Sequence, residues 1–430
     1  LNLERDNLVA GAEWAAQSGE LEMLALCALA GSEVFEIIGP FSEGLRLLDM
    51  AIAEKTVGRE RARCLFERFL TQQKMGILKT RTQDLEEALA IIRPLEGDVL
   101  EAYIISCFGL FHYNMGNLEQ TETYFQQAVT LADSLEDLSL QPQIAGYQGR
   151  LSVATGQVKK GIDLLIQSIK GCAAIGNLPA ETKNRIELGW IYSELGMAEE
   201  AITQLETGLE SARALGHKRS EAIALGELLL VKTRYLNRQD ATNENEFVNT
   251  ILSLRRSDIK VDEKDNEIRL SQEEIKKGFK ESLNIAQKLG CVRTEAIIVG
   301  VLGIQYGLSG DLDLAEDHFQ RAIDVLDTVW PSGAVVFRDF LAVIYLDKGE
   351  LETAKALMHH NESLLNKSEV FNYGRHLCCK SYLLFHEGKL DESRACLAEA
   401  DEILAHIESQ VGPVPWSRLS LLIKKFRTVH

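Results

Sequence analysis

Glycines at positions 76, 116, 156 and 196 stand forty residues apart, and glycines at 310, 349 and 388 stand thirty-nine apart. A spacing that regular over most of a 430-residue chain marks one small unit stacked many times. A chain this long exceeds what a single ordinary core supports, so it must be several domains or one elongated array, and the period selects the array. The glycines do not recur alone. Aligning "ELGWIYSELGMAEEAITQLETGLESARALG" (187–216) with "VLGIQYGLSGDLDLAEDHFQRAIDVLDTV" (301–329) pairs Gly189 with Gly303, Tyr192 with Tyr306, Gly196 with Gly310, Ala201 with Ala315 and Leu205 with Phe319.

Each recurring position has a physical reason. The periodic glycine ends a helix, because a residue without Cβ enters the left-handed conformation most easily. A small residue upstream of it (Gly109, Gly149, Gly189, Gly226, Gly303, Ala342, Ser381) lets the partner helix approach closely. The prolines fall at apparent helix ends, as they must if the chain is nearly all α.

A small residue, an aromatic, a turn glycine, an alanine and a Phe in this order resemble the tetratricopeptide repeat, over about residues 20–410. The pattern departs from that family at Thr121 and Gly161, where it expects Ala, and at Ser152, where it expects Tyr. The resemblance implies an all-α, right-handed superhelical solenoid of about nine helix-turn-helix repeats. A period of 39–40, against ~34 for the usual unit, implies helices about a turn longer. The expected organisation is one solenoid over 1–430: a leading helix at 1–20, repeats at 21–235, an insertion at 236–272 within one repeat, repeats at 273–410, and a capping helix at 411–430.

Composition narrows the function. The net charge of -18 disfavours nucleic acid as a direct partner, since phosphate backbones are bound by clustered Lys and Arg. No run of roughly 18 apolar residues is present to cross a bilayer, so a cytoplasmic protein is expected. The eight cysteines lack C-x-x-C spacing and read as reduced, mostly buried thiols. No phosphate-cradling loop, H-E-x-x-H or G-x-S-x-G appears, so no catalytic residue, metal ligand or cofactor is assigned. His359-His360 reads as a surface pair and not a metal site, because adjacent helical residues point about 100° apart. Cys378-Cys379 reads as two reduced thiols, since a vicinal disulfide would be strained.

In tetratricopeptide arrays the first helix of each pair lines a concave groove, and the resemblance implies that a protein, a peptide or a small-molecule inducer binds there. Counting along those helices selects Tyr113, Asn114, Tyr147, Arg150, Lys183, Glu187, Trp190, Phe340, Arg375 and Tyr382 as groove residues, with Tyr103 and Gln143 beside them. Aromatic and Arg anchors dominate interface energies, which gives the cluster from Tyr113 to Trp190 its interest. The competing reading packs those rings against the neighbouring repeat.

The opening "LERDNLVAGAEWAAQSGELEMLALCALAG" with "FSEGLRLLDMAIAEK" resembles the start of helical arrays that follow the core of signal-transduction ATPases with numerous domains, on Asp6-Asn7-Leu8, Trp14, Gly19 and Glu43-Gly44 before Leu48. That family includes bacterial transcription activators. The resemblance implies a sensor arm whose occupancy controls an ATPase, and an effector, lying outside this chain, with oligomerisation through that ATPase. The chain begins on Leu1, which fits a fragment of a longer protein. Two other classes stay open: a free-standing adaptor, and the docking arm of a multidomain enzyme such as a protease or nucleotide cyclase.

The segment "SLRRSDIKVDEKDNEIRLSQEE" (253–274) interrupts one repeat, which resumes in frame at Phe279 and Ser282. "EFVNTILSL" suggests a short amphipathic helix and "DIKVDEKDNEIRL" a small hairpin, and Ser271 with Glu274 forms a capping box that restarts the repeat. The insertion is either a tolerated loop or a specificity element in which Arg255, Arg256 and Lys260 face an acidic partner.

Overall fold

The computed structural model describes residues 2–77, 82–115, 117–135, 139–236, 270–365, 367–415 and 417–429. Within them the chain forms twenty α-helices and one short 3-10 turn, and no strand. A leading helix α1 (Asn2–Ser18) is followed by antiparallel pairs: α2 (Leu21–Ile38) with α3 (Phe41–Ala53), α4 (Gly58–Met75) with α5 (Gln83–Ile92), α6 (Val99–Asn114) with α7 (Leu118–Ser134), and α8 (Gln141–Ala154) with α9 (Val158–Ala174). Next come α10 (Leu178–Glu194) with α11 (Ala198–Leu215) and α12 (Lys218–Leu236) with α13 (Gln272–Leu289). The array continues with α14 (Val292–Leu308) and α15 (Leu312–Val329), α16 (Pro331–Asp347) and α17 (Leu351–Leu364), and α18 (Val370–His386) and α19 (Leu390–Val411). It ends on α20 (Arg418–Val429).

The periodic glycines do what their spacing requires. Gly76, Gly156, Gly196, Gly310, Gly349 and Gly388 all adopt φ between 74° and 81° at helix ends. The upstream small residues mark close crossings. A Cβ on Gly189 would meet Leu205 Cγ at 2.6 Å, and one on Gly303 would meet Phe319 Cδ1 at 2.7 Å. The capping box is present, with Ser271 Oγ accepting from the Glu274 amide at 3.2 Å and the Glu274 carboxylate accepting from the Ser271 amide at 2.7 Å. The helix and hairpin expected between 246 and 269, and Arg255, Arg256 and Lys260, lie outside the described residues.

The departure at Gly161 has a structural cause. Helices α8 and α9 cross glycine on glycine, and a Cβ on Gly161 would sit 2.4 Å from Val153 Cγ2 and 2.6 Å from the Gly149 carbonyl oxygen. A backbone carbonyl cannot swing aside as a side-chain tip can. Gly161→Ala should therefore destabilise the protein by about 1–2 kcal/mol, overpacking outweighing the roughly 1 kcal/mol that alanine gains in helix propensity. A urea midpoint equal to or above that of the parent would contradict this.

The superhelix winds far enough for its turns to touch. Phe41, Leu289 and Cys291 form one buried apolar cluster. The Cys291 thiol donates to the Lys74 carbonyl at 2.9 Å, from a residue 217 positions away. Gly76 lies against Val329, where a Cβ would come within 2.7 Å of Cγ1. A second seam lies further along, where Gln410 Nε2 donates to the Gly156 carbonyl at 2.6 Å and Gln410 Oε1 accepts from the Lys159 amide at 3.3 Å. One hydrophobic core spans this seam, joining Val153, Leu188 and Leu195 to Leu346, Leu383 and Phe426.

Two buried polar arrangements fix the C-terminal repeats. Glu194, 1% exposed, pairs with Arg375 at 3.1 Å and Arg418 at 2.8 Å, tying α10 to α18 and α20. Arg338, 2% exposed, donates to Asn361 Oδ1 at 2.7 Å and pairs with Asp327; Asn361 in turn donates to Asp339 Oδ1 at 2.7 Å, which also takes the His376 Nδ1 contact at 2.9 Å.

Candidate binding face

Side chains on successive first helices touch along the inside of the superhelix. Gln143 Nε2 donates to the Tyr103 hydroxyl at 3.2 Å, linking α8 to α6. The Arg150 guanidinium lies over the Tyr113 ring at 5.4 Å, and the Lys183 ammonium over the Tyr147 ring at 5.0 Å. Arg150 Nε meets Glu187 Oε1 at 3.2 Å, joining α8 to α10. Tyr147 also stacks on Phe125, with ring centroids 5.8 Å apart. Tyr113, Tyr147, Arg150, Lys183 and Glu187 thus form one ladder over three repeats, each residue half-buried.

The other residues named from sequence do not join it. Phe340 is buried and packs on Phe319 with centroids 6.0 Å apart, inside the core. Arg375 is buried against Glu194. Tyr382 is buried, donates to Asp347 Oδ1 at 3.0 Å and packs on Phe426. Trp190 is half-buried and packs against the second-seam core. Arg375 is covered by α10 from another turn of the superhelix, whereas Phe340 and Tyr382 are covered by neighbouring helices of the array, and neither kind of cover is registered by a count along one helix. The Asn114 side chain lies outside the described residues.

Three further cations belong to the same face. Arg219 opens α12, Arg293 opens α14 and Lys74 closes α4. Arg293 stacks on Trp330 with its guanidinium carbon 4.1 Å from the ring centroid. Lys74 pairs with Glu36 at 2.5 Å. Burial lowers Lys183 to about 7, and the like charges of Arg150, Arg219 and Lys74 push it the same way against Glu187. Burial and the charges of Arg219 and Arg150 lower Arg293 to about 9. Burial raises Glu67 to about 7 and the Tyr113 phenol to about 12. In a chain with a net charge of -18, five cations share this one face.

Arg219 and Arg293 lie before the stretch from which groove residues are counted, seven residues ahead of Gly226 and ten ahead of Gly303. Glu67 and Lys74 sit on a repeat whose small position is Phe69, so that unit offers no glycine to count from. Among the described residues no group of His, Cys, Asp and Glu could hold a metal, and no helix is long and apolar enough to cross a membrane. All eight cysteines are free, with Cys378 and Cys379 fully buried.

Residues 183–215 match the tetratricopeptide repeat family. The fold is a tetratricopeptide-like solenoid. This solenoid is similar to a Rap protein solved in complex with competence and sporulation factor, at 14% identity and a TM-score of 0.60, over 90% of this chain and 99% of that one. It is also similar to a signal transduction ATPase with numerous domains carrying a tetratricopeptide repeat sensor, from Pyrococcus horikoshii, at 15% identity and a TM-score of 0.47, over 91% of this chain and 52% of that one. No curated protein matches the solenoid significantly in sequence.

Proposed function

We propose that this solenoid is a non-catalytic sensor that takes a peptide or extended protein segment against its inner face and passes the binding event to a larger regulator. The carrying observation is the ladder from Tyr113 and Arg150 to Tyr147, Lys183 and Glu187, a row of half-buried aromatic and charged groups running across three repeats. Aromatic rings and Arg on a concave surface are what interfaces use as anchors. The Rap protein of the comparison, solved in complex with a factor, supports the assignment of a binding role. The opening residues Asp6-Asn7-Leu8, Trp14 and Gly19 support a place downstream of an ATPase core, with the sensor's occupancy controlling that ATPase.

Selection of a phage-displayed random heptapeptide library on the purified chain tests this. Enriched peptides should bind the parent, and Tyr113→Ala with Arg150→Ala should weaken them by at least tenfold, about 1.4 kcal/mol, with helical circular dichroism unchanged. Absence of any enriched peptide, or undiminished binding to the double variant, would sink the proposal.

A further inference from the structure

The inner face holds more positive than negative charge. Lys74, Arg150, Lys183, Arg219 and Arg293 converge there from α4, α8, α10, α12 and α14, with Arg150, Arg219 and Lys74 acting on Lys183, and Arg219 and Arg150 on Arg293. Against these five stand Glu36, Glu67, Glu187 and Glu369, and of the four Glu36 and Glu187 are already engaged by Lys74 and Arg150. Lys183 has an aromatic ring for a partner and, among the described residues, no carboxylate within ion-pair distance. The Arg219 Nε is buried without an acceptor. A buried donor or cation left unmatched is costly to the fold, so its presence asks what matches it.

Resting on the sensor reading above, we propose that the inner face selects an acidic peptide, two of whose carboxylates pair with Lys183 and Arg219. Carboxylates fit better than a run of phosphates, because Glu36, Glu67 and Glu187 are interleaved with the cations and would repel a compact polyanion, whereas a peptide can offer them its amides. The rest of the chain is strongly acidic, so an acidic peptide is steered away from the outer surface and gains only inside. Lys183 also reports the event. Facing Tyr147 and Arg150 from α8, Arg219 from α12, Lys74 from α4, Cys107 from α6 and Glu187 on its own helix, it is held near neutrality when empty, and a carboxylate raises it. Binding then takes up a proton near pH 7.5 and weakens as pH rises.

The heptapeptide selection tests this when repeated on Lys183→Met and on Arg219→Gln, with titration calorimetry of the best peptide in two buffers of different ionisation enthalpy. The expected result is enrichment of sequences with two or more Asp or Glu, at least tenfold weaker binding to either variant, and net proton uptake at pH 7.5. Lys183→Met should be no less thermally stable than the parent, because it removes a cation held among like charges, and this separates lost binding from lost folding. Enrichment of neutral or basic peptides, or acidic binding unchanged in both variants, overturns the inference and leaves the sensor reading standing. No enrichment at all removes both. Displacement of the acidic peptide by equimolar ATP or tripolyphosphate overturns the choice of carboxylate over phosphate.

Discussion

Glu194→Ala should destabilise the protein by about 3–5 kcal/mol, the cost of removing one partner from a buried ion pair and leaving the other charge uncompensated. Here two guanidinium groups lose their counter-charge at once. Arg375 is 5% exposed and Arg418 is 18% exposed, and neither can turn to bulk water without opening the seam between α10 and the last two repeats. The loss should appear as a lowered urea midpoint together with a shallower transition, since the C-terminal repeats would melt apart from the rest. The triple variant Glu194→Leu, Arg375→Met and Arg418→Met should recover much of the stability, because an apolar replacement for a buried ionic cluster is often neutral or better. A loss below about 1 kcal/mol in the single variant would show that the seam is not held there.

Asp339→Ala should cost a similar amount. Its carboxylate is fully buried and is the shared acceptor for Asn361 and His376, so truncation strands a buried amide and a buried imidazole together. The pair also sets a pH dependence. Burial works to lower His376, but the Asp339 carboxylate outweighs it and holds the imidazole above its ordinary 6.5. A raised folded-state value means that the native protein binds the proton more tightly than the unfolded chain. The pair's contribution is therefore fully present below pH 6.5 and lost as pH rises through the raised value. Unfolding measured from pH 6 to 9 should show this decline in the parent and not in His376→Gln. A decline of equal size in both would refute the assignment.

The repeat was legible because its signals are local. A glycine at φ near 75° and a small residue at a helix crossing are dictated by the residues next to them, and the chain states them every thirty-nine or forty positions. The ladder from Tyr113 to Glu187 was legible for the same reason, since neighbouring first helices repeat one geometry. What the period does not encode is how far the superhelix winds. Phe340 and Tyr382 occupy positions equivalent to groove residues, yet neighbouring elements bury them through Phe319 and Phe426, and Arg375 is buried because a second turn of the same chain arrives there with Glu194. That arrival depends on contacts such as Gln410 to Gly156, which are 254 residues apart and have no signature at either end. Glu194 illustrates the point: from its own helix it is one more acidic residue, and only the approach of α18 and α20 makes it the centre of a buried pair.

Binding on the inner face, between the turns, and not on the outer helices, is open to a direct test. A peptide enriched on the chain and carrying a photo-activatable phenylalanine analogue at each position in turn would locate it directly, with the cross-linked residues read by mass spectrometry. Adducts are expected on α6, α8, α10 and α12, centred on Tyr113, Tyr147 and Lys183. Adducts confined to second helices such as α9 and α11 would contradict it.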